Sequence, residues 1–401
     1  MADLQGFVTR SEVASLLGLH DEQIENVHVA PAIVDVPGFS SLILRVTITL
    51  YKGSKRCLIV KRLPLDGYLL DVVDDTDVFT REVHFFQHAL PLLQNKVSSL
   101  PIVKCLAAQP DRIIMEDLSE KGYRILANSM ADIGKNPLNF DQLKLVMEKL
   151  ACFHAASIDM NWLEILPHLK TDTMLENASC PFPTLLKKAC QAYATAMDHF
   201  YPKVDSKYSK WLRSAKPMEC LLKLVKPDTK YTNMLGHADL WVNNIMFRIN
   251  SDSGQPEDAI FIDFQMCRYV PVSRDIQNLL YTCTTKEFRD TYEMKLLLVY
   301  VHSFNDTLGY ERLSLQELKN EYNDSRLFGM MVGIVFRSMN LMSDLYPAPG
   351  EEMSNEMFET MLSGNHFDGL LQRCSTEEFF NRTVHDFLGE FVQILDKHHI
   401  Y

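Results

Sequence analysis

Leu235-Gly-His-Ala-Asp-Leu-Trp-Val-Asn-Asn-Ile-Met-Phe247, followed by Ile260-Phe-Ile-Asp-Phe-Gln265, is the stretch on which the reading of this chain turns. It spells H-x-D-x-x-x-x-N and then an apolar run that closes on Asp-Phe. Each polar residue has a chemical use. Asp239 can accept the proton of an attacking hydroxyl. Asn244 can return to the same centre as a neutral oxygen ligand. Asp263, expected at the end of a buried strand, can supply a carboxylate to a Mg²⁺ ion that bridges phosphates.

The sequence between these residues fits two short strands, Ile245–Ile249 and Ala259–Phe264, around the polar turn Asn250-Ser-Asp-Ser-Gly-Gln-Pro256. Such a hairpin would bring Asn244 and Asp263 together. An isolated H-x-D is common and is compatible with a capping Asp239, a loop Asn244 and a solvated strand-end Asp263. The full spacing with a downstream Asp-Phe is the pattern of a kinase catalytic loop and its metal-binding element, and it points to phosphoryl transfer.

Upstream, the chain is rich in strands. Leu42–Leu50 alternates with period two, placing Leu42, Leu44, Val46, Ile48 and Leu50 on one face and Arg45, Thr47 and Thr49 on the other. Lys52-Gly-Ser-Lys55 reads as a turn and Cys57–Lys61 as the returning strand. Lys61 shares a face with Cys57 and Ile59. Its ammonium can neutralise α- and β-phosphate oxygens, with Glu82 on the following helix to orient it. A lysine whose head simply reaches water is the competing reading. Pro37-Gly-Phe-Ser-Ser41 can offer the amides and hydroxyls of Ser40 and Ser41 to phosphate, or can be a plain turn leading into the strand. Asp77–Leu93 reads as one helix and Arg112–Met115 as a short strand. Further helices are expected at Phe140–Ser157, Pro183–His199, Lys286–Leu308, Ser314–Met342 and Glu377–His398. His154 reads as a packed helix histidine, His237 as a hydrogen-bonding support of its loop, and Leu327–Phe336 as core.

Taken together, His237-Ala-Asp-Leu-Trp-Val-Asn-Asn-Ile-Met-Phe247 and Ile262-Asp-Phe-Gln265 resemble the ecdysteroid kinase-like family. That family lies within the choline and aminoglycoside phosphotransferase group. Lys61 in Leu58-Ile-Val-Lys61, Phe79-Thr-Arg-Glu82, Met115-Glu-Asp-Leu118 and Leu150-Ala-Cys-Phe-His-Ala-Ala-Ser157 follow in the family's order, so the resemblance spans nearly the whole chain. It implies an α+β, bilobal, protein-kinase-like fold: a β-rich nucleotide-binding lobe (1–115), a hinge (116–120) and a helical catalytic and acceptor-binding lobe (121–401). It also implies ATP and Mg²⁺ as cofactors, with Asn244 and Asp263 holding the metal and Asp239 as the base. The backbones of Glu116 and Leu118 would contact adenine; the competing reading of those residues is a solvated acidic turn. Asp275 would brace the catalytic loop. Ala238 stands where the family usually has Gly, a small change on sequence grounds.

The acceptor is expected to be a small-molecule alcohol. Trp241 occupies the place where a protein kinase usually carries Lys, and no Ala-Pro-Glu segment follows Asp263. An ecdysteroid-like or other lipophilic alcohol is preferred, with a choline- or aminoglycoside-like cationic alcohol as the alternative. A catalytically inactive binding protein on the same fold is the other class to weigh, and the presence of Lys61, Glu82, Asp239, Asn244 and Asp263 argues against it. The net charge of −12 argues against a general nucleic-acid binder. Nine Cys without a C-x-x-C pair read as reduced thiols. The N-terminus lacks an apolar signal region, and no run is long enough to span a bilayer, so a cytoplasmic location is expected. The sequons at Asn177, Asn305, Asn323 and Asn381 are then without consequence.

Overall fold

The computed structural model describes residues 8–32, 41–64, 67–127, 138–347 and 353–398. A first helix α1 (Arg10–Leu17), capped by the Thr9 side chain, leads into β1 (Ile24–Pro31). Then come β2 (Leu42–Leu50), β3 (Lys55–Arg62), β4 (Cys105–Gln109) and β5 (Arg112–Glu116). These five form one antiparallel sheet in the order β1-β2-β3-β5-β4. The alternation along β2 sorts its two faces. Leu44, Val46 and Ile48 are buried with Leu58, Val60 and Ile114 against Val13 and Ala14 of α1. The opposite face carries two cross-strand rows, Arg45–Ile59–Met115 and Ile43–Lys61–Ile113. Because side chains alternate strictly in a strand, Lys61 must point away from the small α1 core and toward the rest of the molecule.

The helix expected over Asp77–Leu93 is not one regular helix. α2 (Gly67–Thr76) precedes it, and Asp77 breaks the chain in a left-handed conformation, φ 56°. α3 (Val78–His84) then runs through a π-helical turn, Phe85–Ala89, into α4 (Leu90–Lys96). Pro91 accounts for the widened turn. It has no N–H to give, and its ring would strike the carbonyl one turn back in a regular helix. The Leu90 N–H accordingly reaches the Phe85 carbonyl five residues earlier.

Beyond Glu116 the chain is mostly helical. α5 (Phe140–Ser157), started by an Asn139–Gln142 capping box, packs along α8 (Lys286–Leu308). Between them in sequence lie α6 (Phe182–Phe200) and α7 (Ser273–Cys283), the latter buried along its whole length. The segment expected as one helix over Ser314–Met342 is broken. It comprises Leu315–Asp324, Arg326–Val332, a π-helical turn Gly333–Arg337, and Ser338–Leu341. At the first break the Ser325 hydroxyl bonds back to the Glu321 carbonyl, competing with the backbone ladder. Gly329 lets this segment approach α7 closely, since a Cβ there would sit 2.4 Å from the Tyr281 ring.

Two smaller sheets accompany the five-stranded sheet. β6 (Tyr123–Arg124), β8 (Ile245–Ile249) and β9 (Pro256–Phe261) make one sheet; β7 (Asn233–Gly236) and β10 (Arg268–Pro271) make another. The β8–β9 hairpin agrees with the sequence reading at β8. The second strand begins earlier and ends at Phe261, so Asp263 lies beyond the strand rather than at its end.

Candidate active site

Lys61 is buried, and its Nζ lies 2.5 Å from Glu82 Oε2 on α3 and 2.8 Å from Asp263 Oδ1. Glu82 uses its other oxygen, Oε1, to accept the Phe264 N–H at 3.1 Å. One carboxylate thus ties the β3 lysine to the Asp-Phe backbone. Burial by itself lowers the Lys61 pKa, but Asp263 and Glu82 outweigh it, and the net shift is upward. The ammonium stays charged.

Asp263 itself has φ 68°, in the left-handed region. A non-glycine residue there costs about 1–2 kcal/mol and persists only where its neighbours fix it. The fixing contacts are visible. Lys61 holds the carboxylate, Glu82 holds the next amide, and the Phe264 ring stacks on Phe85 with centroids 4.2 Å apart and planes 3° from parallel. His237 and Phe153 close around the same ring.

The His237–Asn244 loop is held from below by α7. Asp275 Oδ2 accepts the His237 N–H at 2.6 Å, and Oδ1 accepts the Ala238 N–H at 2.8 Å. His154 Nε2 meets Asp275 at 3.1 Å, while its Nδ1 faces the Tyr300 hydroxyl at 2.7 Å. Asn278, one turn along α7, donates from Nδ2 to the Ala238 carbonyl at 3.2 Å. Ala238 is gripped on both sides because it too is left-handed, φ 61°. Its difference from glycine therefore has a conformational cost that side-chain size alone does not convey. His237 Nδ1 accepts the Asp239 N–H, and Nε2 lies 2.9 Å from the Ile262 carbonyl. Burial lowers its pKa, which suits a neutral structural imidazole.

Asp239 is half-buried beside Asn244, whose Nδ2 donates to the Asp239 carbonyl at 2.8 Å and to its Oδ2 at 3.0 Å. Desolvation first, then the charge of Asp263, push the Asp239 carboxyl up to about 7. Arg268, held by Asp172 at 2.5 Å, opposes that rise from behind the loop.

All eight residues singled out from sequence, Ser41, Lys61, Glu82, Glu116, Leu118, Asp239, Asn244 and Asp263, line one cavity of about 240 Å³. Its roof is the Ile43, Arg45, Ile59 and Met115 face of the sheet. Its floor includes Met246 and Ile262. The Ser41 hydroxyl oxygen is buried there without a partner among the described residues. The rest of that candidate phosphate loop, residues 37–40, lies outside the described residues. At the far end Glu116 donates its N–H to the Lys104 carbonyl, and Leu118 begins a 3-10 turn whose first amide has no partner within the turn. Asp117, unremarked in the sequence, pairs with Arg45 at 2.7 Å.

A second, apolar cavity adjoins the first. Met174, Phe182, Leu185, Phe336, Met339 and Met361 are among its walls, and it shares Asp239 and Trp241 with the polar cavity. No local motif announced it, because its walls come from segments far apart in the chain.

A buried Lys–Glu pair on a sheet and helix, joined to an Asp-Phe element and an H-x-D loop braced from a helix, defines a phosphotransferase of protein-kinase-like fold. The model of the ecdysteroid kinase-like family matches residues 36–312, and the chain belongs to that family. It is accordingly a small-molecule kinase that acts on a hydroxyl acceptor. Similar solved structures include an aminoglycoside 2'-phosphotransferase-IIIa in complex with GDP, at 15% identity and TM-score 0.42, covering 90% of this chain and 99% of that one. A choline kinase from Streptococcus pneumoniae is similar at 14% identity and TM-score 0.39, covering 88% and 96%. A fructosamine-3-kinase from Thermobifida fusca is similar at 14% identity and TM-score 0.36, covering 94% and 100%. No curated protein sequence matches.

Proposed function

We propose that this protein is an ATP- and Mg²⁺-dependent kinase of a lipophilic alcohol. The observation that carries the reading is the meeting of two unlike cavities at Asp239. On one side lies a polar cavity holding Lys61 and Asp263; on the other, an apolar one. Residues 1–115 would bind nucleotide, 116–120 would act as hinge, and 121–401 would supply the catalytic loop and acceptor site.

In this reading Lys61 meets the α- and β-phosphates, Glu82 fixes its position, and Ser41 donates to phosphate oxygens. The backbones of Glu116 and Leu118 face adenine. The donors present fit Mg²⁺. Asp263 offers a carboxylate, and Asn244, with Nδ2 committed to Asp239, has its amide oxygen left to give. Oxygen donors suit this hard cation. No group of three or more His, Cys, Asp or Glu side chains placed to hold a metal occurs among the described residues. A site of two protein ligands completed by phosphate and water is the usual manner of Mg²⁺ in such enzymes. The metal supplies neutralisation of phosphate charge.

Asp239 takes the proton of the acceptor hydroxyl as the oxygen attacks the γ-phosphorus. The bond from phosphorus to the β–γ bridging oxygen breaks, ADP departs, and the acceptor leaves as its phosphate ester. A carboxyl pushed up to about 7 is a stronger base than an ordinary aspartate. The sharing of Asp239 by both cavities supports its reading as a base lying between acceptor and nucleotide.

Among the described residues lining the apolar cavity, Asp239 is the single carboxylate, which favours a neutral acceptor over a cationic one. Among the described residues no helix is long and apolar enough to cross a membrane. The nine free cysteines agree with a reducing compartment, and we take the site of action to be the cytoplasm. The test is phosphate-ester formation, followed by mass spectrometry, with Mg·ATP and a panel of sterols and terpene alcohols beside choline and aminoglycosides. Esters of the apolar alcohols are expected. Esters of choline or aminoglycosides alone would move the acceptor to the cationic class. Binding of Mg·ATP with no ester from any alcohol would make the protein a binder.

A further inference from the structure

Two residues in the walls of the apolar cavity each carry an unsatisfied buried amide atom. Asn278 and Asn340 both line it, and both are buried, 5% and 3% exposed. Asn278 Oδ1 and Asn340 Nδ2 have no hydrogen-bond partner among the described residues. One is an acceptor, the other a donor. A buried polar atom left unpaired costs about 1–3 kcal/mol, so such atoms beside a cavity call for a ligand group or water to meet them.

The two residues are differently anchored. The Asn278 amide is fixed by its own Nδ2, which holds the Ala238 carbonyl of the catalytic loop at 3.2 Å. Its oxygen is thereby set in relation to Asp239. Asn340 lies on the helical turn Ser338–Leu341, directly after the π-helical turn Gly333–Arg337. Phe336 from the widened turn, and Met339 and Asn340 just after it, all line the cavity. The remaining walls, Met174, Phe182 and Leu185 among them, offer apolar surface.

Resting on the kinase reading above, we propose that Asn278 and Asn340 select a lipophilic alcohol that carries a second oxygen function besides the hydroxyl to be phosphorylated. A second hydroxyl would donate to Asn278 Oδ1 and accept from Asn340 Nδ2; a ketone would use Asn340 alone. A monohydroxylated hydrocarbon would leave both amide atoms unpaired and would be discriminated against. Sites built to hydrogen-bond a substrate oxygen reject the analogue that lacks it far more strongly than an apolar pocket rejects an added methylene.

The test uses matched acceptors on one carbon skeleton: menthol against the corresponding menthane diol, and cholesterol against its side-chain-hydroxylated derivative. Binding is measured by calorimetry and ester formation by mass spectrometry, with the wild type and with Asn340→Leu, which keeps bulk and removes the amide. Asn340→Ala serves as a second variant, and thermal melts establish that each is folded. The wild type should favour at least one diol over its monohydroxy partner by on the order of tenfold or more in kcat/KM, and the variants should lose that preference. Esters formed with equal efficiency from both members of each pair, or a diol preference unchanged in both variants, would overturn the selection while leaving the kinase reading intact. No binding and no ester from any of the four, while Mg·ATP still binds, would overturn both.

Discussion

Lys61 Nζ bridges Glu82 and Asp263, carboxylates that lie 21 and 202 residues away in the sequence. One ammonium therefore faces two acids, and Asp239 stands close enough for its own carboxyl to be raised by Asp263. The cavity is richer in negative than in positive charge at this point. An oxygen-liganded divalent cation would correct the imbalance, and phosphate without such a cation would worsen it.

Removing the ammonium should expose that imbalance. Lys61→Met leaves Glu82 buried without its cation, and breaking a buried pair in this way costs about 3–5 kcal/mol. Urea melts should show a loss of that order. Adding Glu82→Gln should restore much of the stability without restoring nucleotide binding. If the single variant melts like the wild type, the pair contributes little to the fold.

Replacing the proposed metal carboxylate should separate metal binding from folding. Asp263→Asn keeps the shape and removes the anion. The Mg²⁺ concentration for half-maximal activity should rise by on the order of tenfold or more, and turnover should fall at all metal concentrations. A magnesium titration at fixed ATP checks this. An unchanged requirement would remove Asp263 from the metal site.

Asp239→Asn should lower turnover by roughly 10²–10⁴-fold with nucleotide binding preserved, the range for a lost general base. A pH effect follows from the same residue. Its carboxyl moves from 3.8 to about 7 on folding, so between those values the folded, metal-free protein holds a proton that the unfolded chain releases. Stability from this group is present below about 4 and declines as pH rises toward 7. In chelator, the thermal midpoint of the wild type should therefore fall relative to Asp239→Asn between pH 5 and pH 7. A constant difference across that range would show that Asp239 titrates normally.

Ala238 offers a gain rather than a loss. Its left-handed backbone is disfavoured for any residue with a Cβ, whereas glycine adopts it freely. Ala238→Gly should stabilise the protein by about 0.5–1 kcal/mol, the strain relieved less the added freedom of the unfolded chain. A denaturation midpoint that falls instead would mean that the Asp275 and Asn278 contacts already compensate the strain.

Much of the architecture could be read locally. The period-two run of Leu42–Leu50 and the helical stripes of Phe140–Ser157 and Lys286–Leu308 coincide with the elements observed. Where one residue upset a regular ladder, the reading failed. Pro91 put a π-helical turn into one expected helix, and Ser325 divided another. The second strand of the β8–β9 hairpin ended before Asp263 because the chain turns left-handed there, a conformation that no periodicity encodes.

The sequence by itself determined which side chains were available for chemistry and on which face of each element they lay, since hydrogen-bonded ladders and apolar periodicity act over a few residues. It placed Lys61 on one face of β3 with Cys57 and Ile59 and set Asp239 and Asn244 on one loop. Only the tertiary structure decided that Glu82 would join Lys61 to the Phe264 amide, that α7 would grip Ala238 from both sides, and that Phe182 and Phe336 would help wall a cavity beside Asp239. Those relations depend on close packing between segments from 37 to 182 residues apart, where side-chain shape and the burial of charge select one arrangement among many that the local pattern permits.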